Sequence, residues 1–397
     1  MHQPTRTISL PIRLGILSNG EPTDGRTWSG VPNSILTHLE PMVDSIVYLP
    51  AGPVTPHRRK WERFRKGLSR SLGHRALPHL DRGHLARRAE VISDAARRES
   101  VDAVLGITVD QFIANADLDV PLIHHSDTTF LGLENWYPEV TNLWPGSRRR
   151  GHEITREAIR RSDHSTYPSH WAATQAVEHY DAAPDRTTVI PYGCNLLDPP
   201  VRDATLRRNL ETGACRLLFI GRDWNRKGGP LVLETLRILR DQDIDASLTV
   251  VGTTPPQTDL PVETIGFLNQ QVAEDLDRYR SLWREATFLF MPSRAETFGA
   301  VYAEAAANGV PSIALDIGGV GDAVVDGENG RLLPRDSDAE ACARTISAML
   351  DAPDAYERLV RNSRDRYETT LNWNVWCTET LEILEGILGD RKKENVR

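Results

Sequence analysis

The sequence predicts an α/β protein made of two doubly wound halves. Three observations predict it. The chain has 397 residues, and at roughly 100–200 residues per domain that length holds two domains, each able to bury a core. Short apolar runs alternate with amphipathic helical stretches, the pattern of parallel sheets covered by helices. The alternation stops once, at 194–203 (CNLLDPPVRD), and then begins again.

In order, 12–17 (IRLGIL) reads as a buried strand, and a polar glycine-rich loop (18–30) leads to a helix opening at Val31 with Pro32 in its first turn. Strands are expected at 45–49, 101–108 and 120–125, and a weaker one at 187–192. After the 194–203 linker a second series runs 215–221, 246–252, 262–267, 287–292 and 311–316. The expected domains are 1–196 and 204–372. A last helical segment, 373–397, could dock on either half and is expected to pack back on the first.

Composition bounds the function. The chain carries 47 Lys+Arg against 55 Asp+Glu, a net charge of −8, with 40% apolar and 26% charged residues. That is globular chemistry, and its acidic balance argues against a nucleic-acid binder. No run approaches the roughly 18–20 apolar residues of a membrane span, and the N-terminus lacks the apolar stretch of a secretion signal. The four cysteines are scattered with no CxxC pair, so reduced thiols and a cytoplasmic setting are expected. Against the acidic average, 57–88 holds eleven Lys/Arg and two acids, interleaved with Trp61, Phe64 and Leu68. It reads either as a solvated face or as a surface for anionic lipid headgroups or a phosphorylated acceptor. Its proline (Pro78) and glycines rule against one long helix.

Chemistry concentrates in two places. In 292–334 a strand ends at Pro292. A polar loop then sets Glu296, Thr297, Phe298 and Gly299 before a helix from about Ala300 to Asn308. Backbone N–H groups at such a start bind phosphate, and Gly299 permits close approach. Glu304, on the second turn, is within reach of a ribose attached to that phosphate, and Glu296 lies toward the other end of a diphosphate-linked ligand. The second place is 221–229 (GRDWNRKGG), where Arg222 and Lys227 leave the carboxyl end of a strand beside a glycine-rich helix start. Ligands bind at that edge of open α/β sheets, and two cations there neutralise a diphosphate as it leaves.

With GRDWNRKGG, the VVG strand end at 250–252, IGFLN at 265–269, PSRAETFG…AEAAANGVP and GGVGDAVVDGENGRLL in that order, the second half resembles the retaining family-four glycosyltransferases (glycosyl transferases group 1). WSGVPNSI, HHSDTTF, YPSHWAA and VIPYGCN extend the resemblance to a bacterial branch of that family, more weakly over 50–100 and 131–160. It implies a GT-B fold, with two Rossmann-like domains facing a central cleft, and transfer of a hexose-type sugar from a nucleotide diphosphate sugar to an acceptor hydroxyl with retention. It further implies that Arg222 and Lys227 hold the diphosphate, that Glu304 binds the ribose, and that Glu296 with the backbone of Thr297, Phe298, Gly299 and Ala300 holds the sugar and distal phosphate. Gly266, Phe267 and Leu268 would flank the base, and Gly30 would face the diphosphate. The polar contact near the anomeric carbon would be His125 or Asp127, with Asp127 favoured. Cell-surface glycan assembly is the commonest task of that branch, at the inner face of the membrane if 57–88 touches it.

No cofactor or metal is expected. The DxD strings at 117–119, 241–243, 243–245, 275–277 and 336–338 do not directly follow buried strands and read as solvated charges. An epimerase, an NAD-dependent dehydrogenase and a catalytically silent sugar-nucleotide-binding scaffold are the rivals. The dehydrogenase fails for want of a GxGxxG after the first strand. The donor base, the sugar and the acceptor stay open.

Overall fold

A computed structural model describes residues 8–21, 23, 30–52, 56–196, 198–206 and 214–394. Most of the 18–30 loop and part of the 194–203 linker therefore lie outside the described residues. The described strands form two separate six-stranded sheets, and every pairing in them is parallel. The chain divides into two units, 1–190 with 373–397, and 191–372.

The first unit holds β1 (Leu10–Ser18), β2 (Val43–Tyr48), β3 (Ala103–Ile107), β4 (Leu122–His125), β5 (His164–Tyr167) and β6 (Thr187–Val189), in the order β2-β1-β3-β4-β5-β6. The strand order reverses between β1 and β3, a topological switch point of the kind where ligands bind. β3 is buried at every residue, as expected of a parallel strand covered on both faces. Leu17, Leu85, Ile92, Val104 and Phe112 knit the sheet to its helices.

β5 was not expected from the sequence, because HSTY looks too polar for a sheet interior. Its polar groups are satisfied sideways instead. Ser165 Oγ lies 3.3 Å from His124 Nδ1, and Thr166 Oγ1 lies 2.9 Å from His125 Nδ1. Cross-strand partners thus offset the cost of burying hydroxyls and imidazoles.

The second unit holds β7 (Cys215–Ile220), β8 (Ala246–Val251), β9 (Val262–Ile265), β10 (Phe288–Met291), β11 (Ser312–Leu315) and β12 (Gly330–Leu333), in the order β12-β11-β10-β7-β8-β9. Its switch point lies between β7 and β10. β12 is the other unexpected strand. A Cβ at Gly330 would sit 2.1 Å from Ser312 O, so a glycine here is what lets β12 approach β11.

The division between the units falls after Ile190, six residues before the expected boundary. Residues 191–196 belong with the second unit, where Tyr192 packs edge-on against Phe298 (5.3 Å) and Cys194 N donates to Leu371 O (3.1 Å). The helix Trp373–Glu394 belongs with the first unit. Trp376 packs edge-on against His125 at 5.0 Å, Cys377 Sγ contacts Ile35 O, and Arg391 pairs with Asp163 at 2.9 Å. The basic segment is two helices, Pro56–Ser71 and Arg82–Arg98, separated by a turn at Pro78–Leu80.

Candidate functional site

In the second unit the switch point brings the two chemistry-bearing loops together. The loop after β7 reaches the helix Gly229–Asp241 through Gly228, whose φ is +85°. A Cβ there would lie 2.0 Å from Pro292 O, at the end of β10. Only glycine lets the two loops touch, and they do so repeatedly. Arg294 N donates to Arg226 O (2.7 Å), Arg226 Nη1 donates to Ala295 O (2.8 Å), and Lys227 Nζ forms an ion pair with Glu296 Oε2.

That ion pair joins one residue from each of the two sequence clusters. Both side chains are nearly buried, 13% exposed for Lys227 and 8% for Glu296. Ser293 Oγ stands 3.5 Å from the same carboxylate oxygen. The sequence reading put Lys227 on a diphosphate and Glu296 on a sugar, and the structure shows that the two side chains also hold each other in place.

The helix Ala300–Ala307 starts at Gly299, where φ is +88° and a Cβ would press the Tyr302 ring at 2.6 Å. Tyr302 OH donates to Met291 O (2.8 Å), which pins the helix start to the end of β10. Thr297 and Phe298 are buried and Ala300 is half-buried. At the far end Arg364, also buried, donates to Ala307 O (2.6 Å) and caps the helix as a cation should.

Glu304 is buried on this helix and accepts a hydrogen bond from Tyr279 OH. Burial pushes its carboxyl up to about 7, against the opposing pull of the tyrosine hydrogen bond. Burial and the adjacent carboxylate raise the Tyr279 phenol, which stays a donor. Sequence reasoning missed Tyr279, which lies 25 residues before Glu304 in the amphipathic helix Ala273–Glu285, beside the buried Leu282 and Trp283. Only the fold shows that it faces the carboxylate.

Arg222 is exposed, and its guanidinium lies 5.1 Å from the centre of the Phe267 ring. Phe267 is 58% exposed, an unusual place for a phenyl ring. Leu268 is half-buried, and nothing lies within 4 Å of a Cβ placed on Gly266. The expected base-flanking residues thus leave open space beside an exposed aromatic face and a cation.

In the first unit Gly30 (φ +84°) is the N-cap of the helix Val31–Leu39, and Asp127 is half-buried in the loop after β4. His125, at the end of β4, is fully buried. Burial, with the neighbouring His124, pushes it down to about 3, so its ring is neutral. His124 Nε2 binds Asp110 Oδ1 (2.9 Å), and Thr155 donates to Asp110 Oδ2 (2.8 Å). Burial would raise the Asp110 pKa, but these partners hold it below the ordinary range.

Several of the DxD carboxylates have local partners. Asp117 pairs with Arg97, Asp245 with Arg216, Asp275 accepts from Asn269 N, and Asp338 caps the helix Ala339–Leu350. Among the described residues, no three His, Cys, Asp or Glu side chains converge as a metal site would need.

Two Rossmann-like units in one chain, the second with its charged loops at the switch point, make the fold that of the GT-B glycosyltransferases. The family described as glycosyl transferases group 1 matches residues 214–352, so the second unit carries a domain of that family. The chain is 30% identical to a D-inositol 3-phosphate glycosyltransferase of Corynebacterium efficiens over 281 residues, which is 66% of this chain and 64% of that one. It thus spans less than two thirds of that relative's length. It is 28% identical over 290 residues to a glycogen synthase of Mycobacterium tuberculosis, covering 70% of this chain and 66% of the other. In structure it is similar to a sucrose-phosphate synthase from Thermosynechococcus elongatus (TM-score 0.65, 19% identity, 95% of this chain and 100% of that one). It is also similar to Anabaena HepE in complex with UDP and glucose (TM-score 0.60, 16% identity, 94% and 99%).

Proposed function

We propose that this chain is a glycosyltransferase that takes a hexose-type sugar from a nucleotide diphosphate sugar and passes it to an acceptor hydroxyl with retention, in the assembly of a bacterial glycan or glycoconjugate. The donor diphosphate lies against Arg222, Lys227 and the start of the helix Ala300–Ala307. The ribose sits at Glu304 and the base beside Gly266, Phe267 and Leu268. The sugar sits at Glu296 with the backbone of Thr297, Phe298 and Gly299. On the first unit, the polar side chain that the β4 loop offers to substrate is Asp127 rather than the buried, neutral His125.

The observation that carries this reading is the convergence of Lys227, Glu296 and the Ala300–Ala307 helix start at one switch point, with the acceptor carboxylate of Glu304 a turn further on. Such a site stabilises a leaving diphosphate with fixed cations and backbone dipoles, so the reading includes no metal. The relatives are named for sugar transfer, and HepE holds UDP and glucose, which agrees with a sugar-nucleotide donor. A cytoplasmic setting belongs to the reading, with 57–88 meeting an anionic membrane. No helix among the described residues is long and apolar enough to cross one.

A thermal-shift panel of UDP, GDP, dTDP and ADP tests it. One nucleotide, at about 100 times its dissociation constant, is expected to add about 2.7 kcal/mol of folded-state stability. A panel in which none shifts the melting temperature, with EDTA or magnesium, overturns the reading.

A further inference from the structure

A cavity of about 540 Å³ opens on the second unit between the helices Ala339–Leu350 and Pro353–Thr369 and the start of β12. Helical spacing explains it. Ala341, Thr345 and Ala348 share one face of the first helix, and Ala355, Leu359 and Asn362 share one face of the second. The alanines among these positions are too small to fill the space between the helices. The volume is that of a small-molecule site and exceeds what a bare ion needs.

The rim is cationic. Arg331, Arg344 and Arg358 line the cavity, and no Asp or Glu does. Arg331 is tied to Asp326 at 2.8 Å, whereas the side chains of Arg344 and Arg358 make no ion pair or hydrogen bond among the described residues. The other arginines of the helix Pro353–Thr369 are neutralised: Arg361 by Glu357 (3.2 Å), Arg364 by Glu368 (2.8 Å) and Arg366 by Glu328 (3.6 Å). The two cations without a counterion are thus the two that face the hollow, in a chain whose net charge is −8. Below them Met349 and Leu359, both buried, form an apolar floor. The Thr345 hydroxyl donates to Ala341 O (2.9 Å) and keeps its lone pairs to accept, and Asn362 brings a donor and an acceptor.

We infer that this cavity binds a phosphorylated small molecule, a phosphomonoester on a hydroxylated body the size of a sugar. Two unneutralised guanidiniums match the charge of about −1.5 to −2 on a phosphomonoester, and their forked donors suit its oxygens. Met349 and Leu359 take the C–H face of the body, and Thr345 and Asn362 take its hydroxyls. The site is separate from the donor site proposed above and rests on no part of that reading. In this all-parallel sheet the charged donor loops leave the carboxyl ends of β7 and β10, whereas Gly327 and Arg331 place the cavity at the amino end of β12.

Isothermal titration of the full chain with glucose 6-phosphate, glucose 1-phosphate, inorganic phosphate and glucose tests this. At least one sugar phosphate is expected to bind saturably and more tightly than inorganic phosphate, and glucose is expected not to bind. A hydrogen bond to a charged group is worth about tenfold or more in affinity, so Arg344→Gln/Arg358→Gln is expected to weaken binding about 100-fold. Both positions are exposed, so the melting temperature without ligand stays unchanged. Arg361→Gln, on the same helix but outside the cavity, and Arg222→Ala, at the donor site, are expected to bind as wild type does. Saturable binding of neither sugar phosphate, equal binding of glucose or inorganic phosphate, or binding unchanged in Arg344→Gln/Arg358→Gln overturns the inference. Binding weakened as much by Arg361→Gln or by Arg222→Ala also overturns it, the first showing a diffuse charge effect and the second assigning the probe to the donor site.

Discussion

Lys227→Ala is expected to lower turnover by about 10²–10³-fold, the scale for removing one preorganised charged donor from a developing anion. The free nucleoside diphosphate carries the charge that the leaving group develops, so its affinity should fall with kcat while the donor KM changes little. The same change leaves the nearly buried Glu296 without its cation. Breaking one side of a buried ion pair costs about 3–5 kcal/mol, so a marked loss of melting temperature accompanies the kinetic defect. Lys227→Met/Glu296→Gln separates the two effects, because it removes both charges together. That double variant is expected to recover most of the stability and none of the turnover. Denaturant melts beside initial-rate kinetics check this, and recovery of both would show that Lys227 is only a structural partner.

Glu304→Gln is expected to make the protein more stable and its nucleotide site weaker. Burial lifts the folded-state pKa of Glu304 from 4.5 to about 7. Between those values the unfolded chain has released the proton that the folded chain still holds. Stability therefore falls as pH rises through that window and stays lowered above it. Two to three pKa units correspond to about 3 kcal/mol. Glutamine carries no charge to desolvate and still accepts from Tyr279, so its advantage should grow from about 1 kcal/mol near pH 5 to about 3 kcal/mol at pH 8. A ribose hydroxyl, however, loses an ionised acceptor worth about 1.5–3 kcal/mol, or roughly 10–100-fold in affinity. Chemical denaturation at the two pH values and nucleotide titration give both numbers. A pH-independent or destabilising effect would mean that Glu304 is not the strained carboxylate described here.

Much of this architecture was legible because parallel strands buried on both faces write themselves as apolar runs; ten of the twelve described strands lie on expected segments, the edge strands β6 and β9 showing the weakest pattern. The two that were missed broke the rule for physical reasons. β5 buries hydroxyls satisfied by His124 and His125 on the next strand, and β12 depends on a glycine needed for close approach to β11. The charged candidate residues stand out in the sequence by their position at strand ends. Their mutual arrangement does not, since Lys227 and Glu296 are 69 residues apart and meet only because the strand order puts β10 beside β7. Tyr279 left no signal at all: an aromatic on the apolar face of an amphipathic helix, beside Leu282 and Trp283, reads as a packing residue. His125, which the resemblance offered as the alternative to the favoured Asp127, is buried against Thr166 and Trp376.

The central claim is that the β7/β10 edge of the second unit holds the sugar nucleotide, and a crystal structure with the nucleotide that shifts the melting temperature tests it most directly. The expected result is a diphosphate within hydrogen-bond distance of Lys227 and the start of the helix Ala300–Ala307, Arg222 turned toward it, and the ribose on Glu304. A nucleotide bound elsewhere, with the Lys227–Glu296 pair undisturbed and Glu304 contacting only Tyr279, would contradict it.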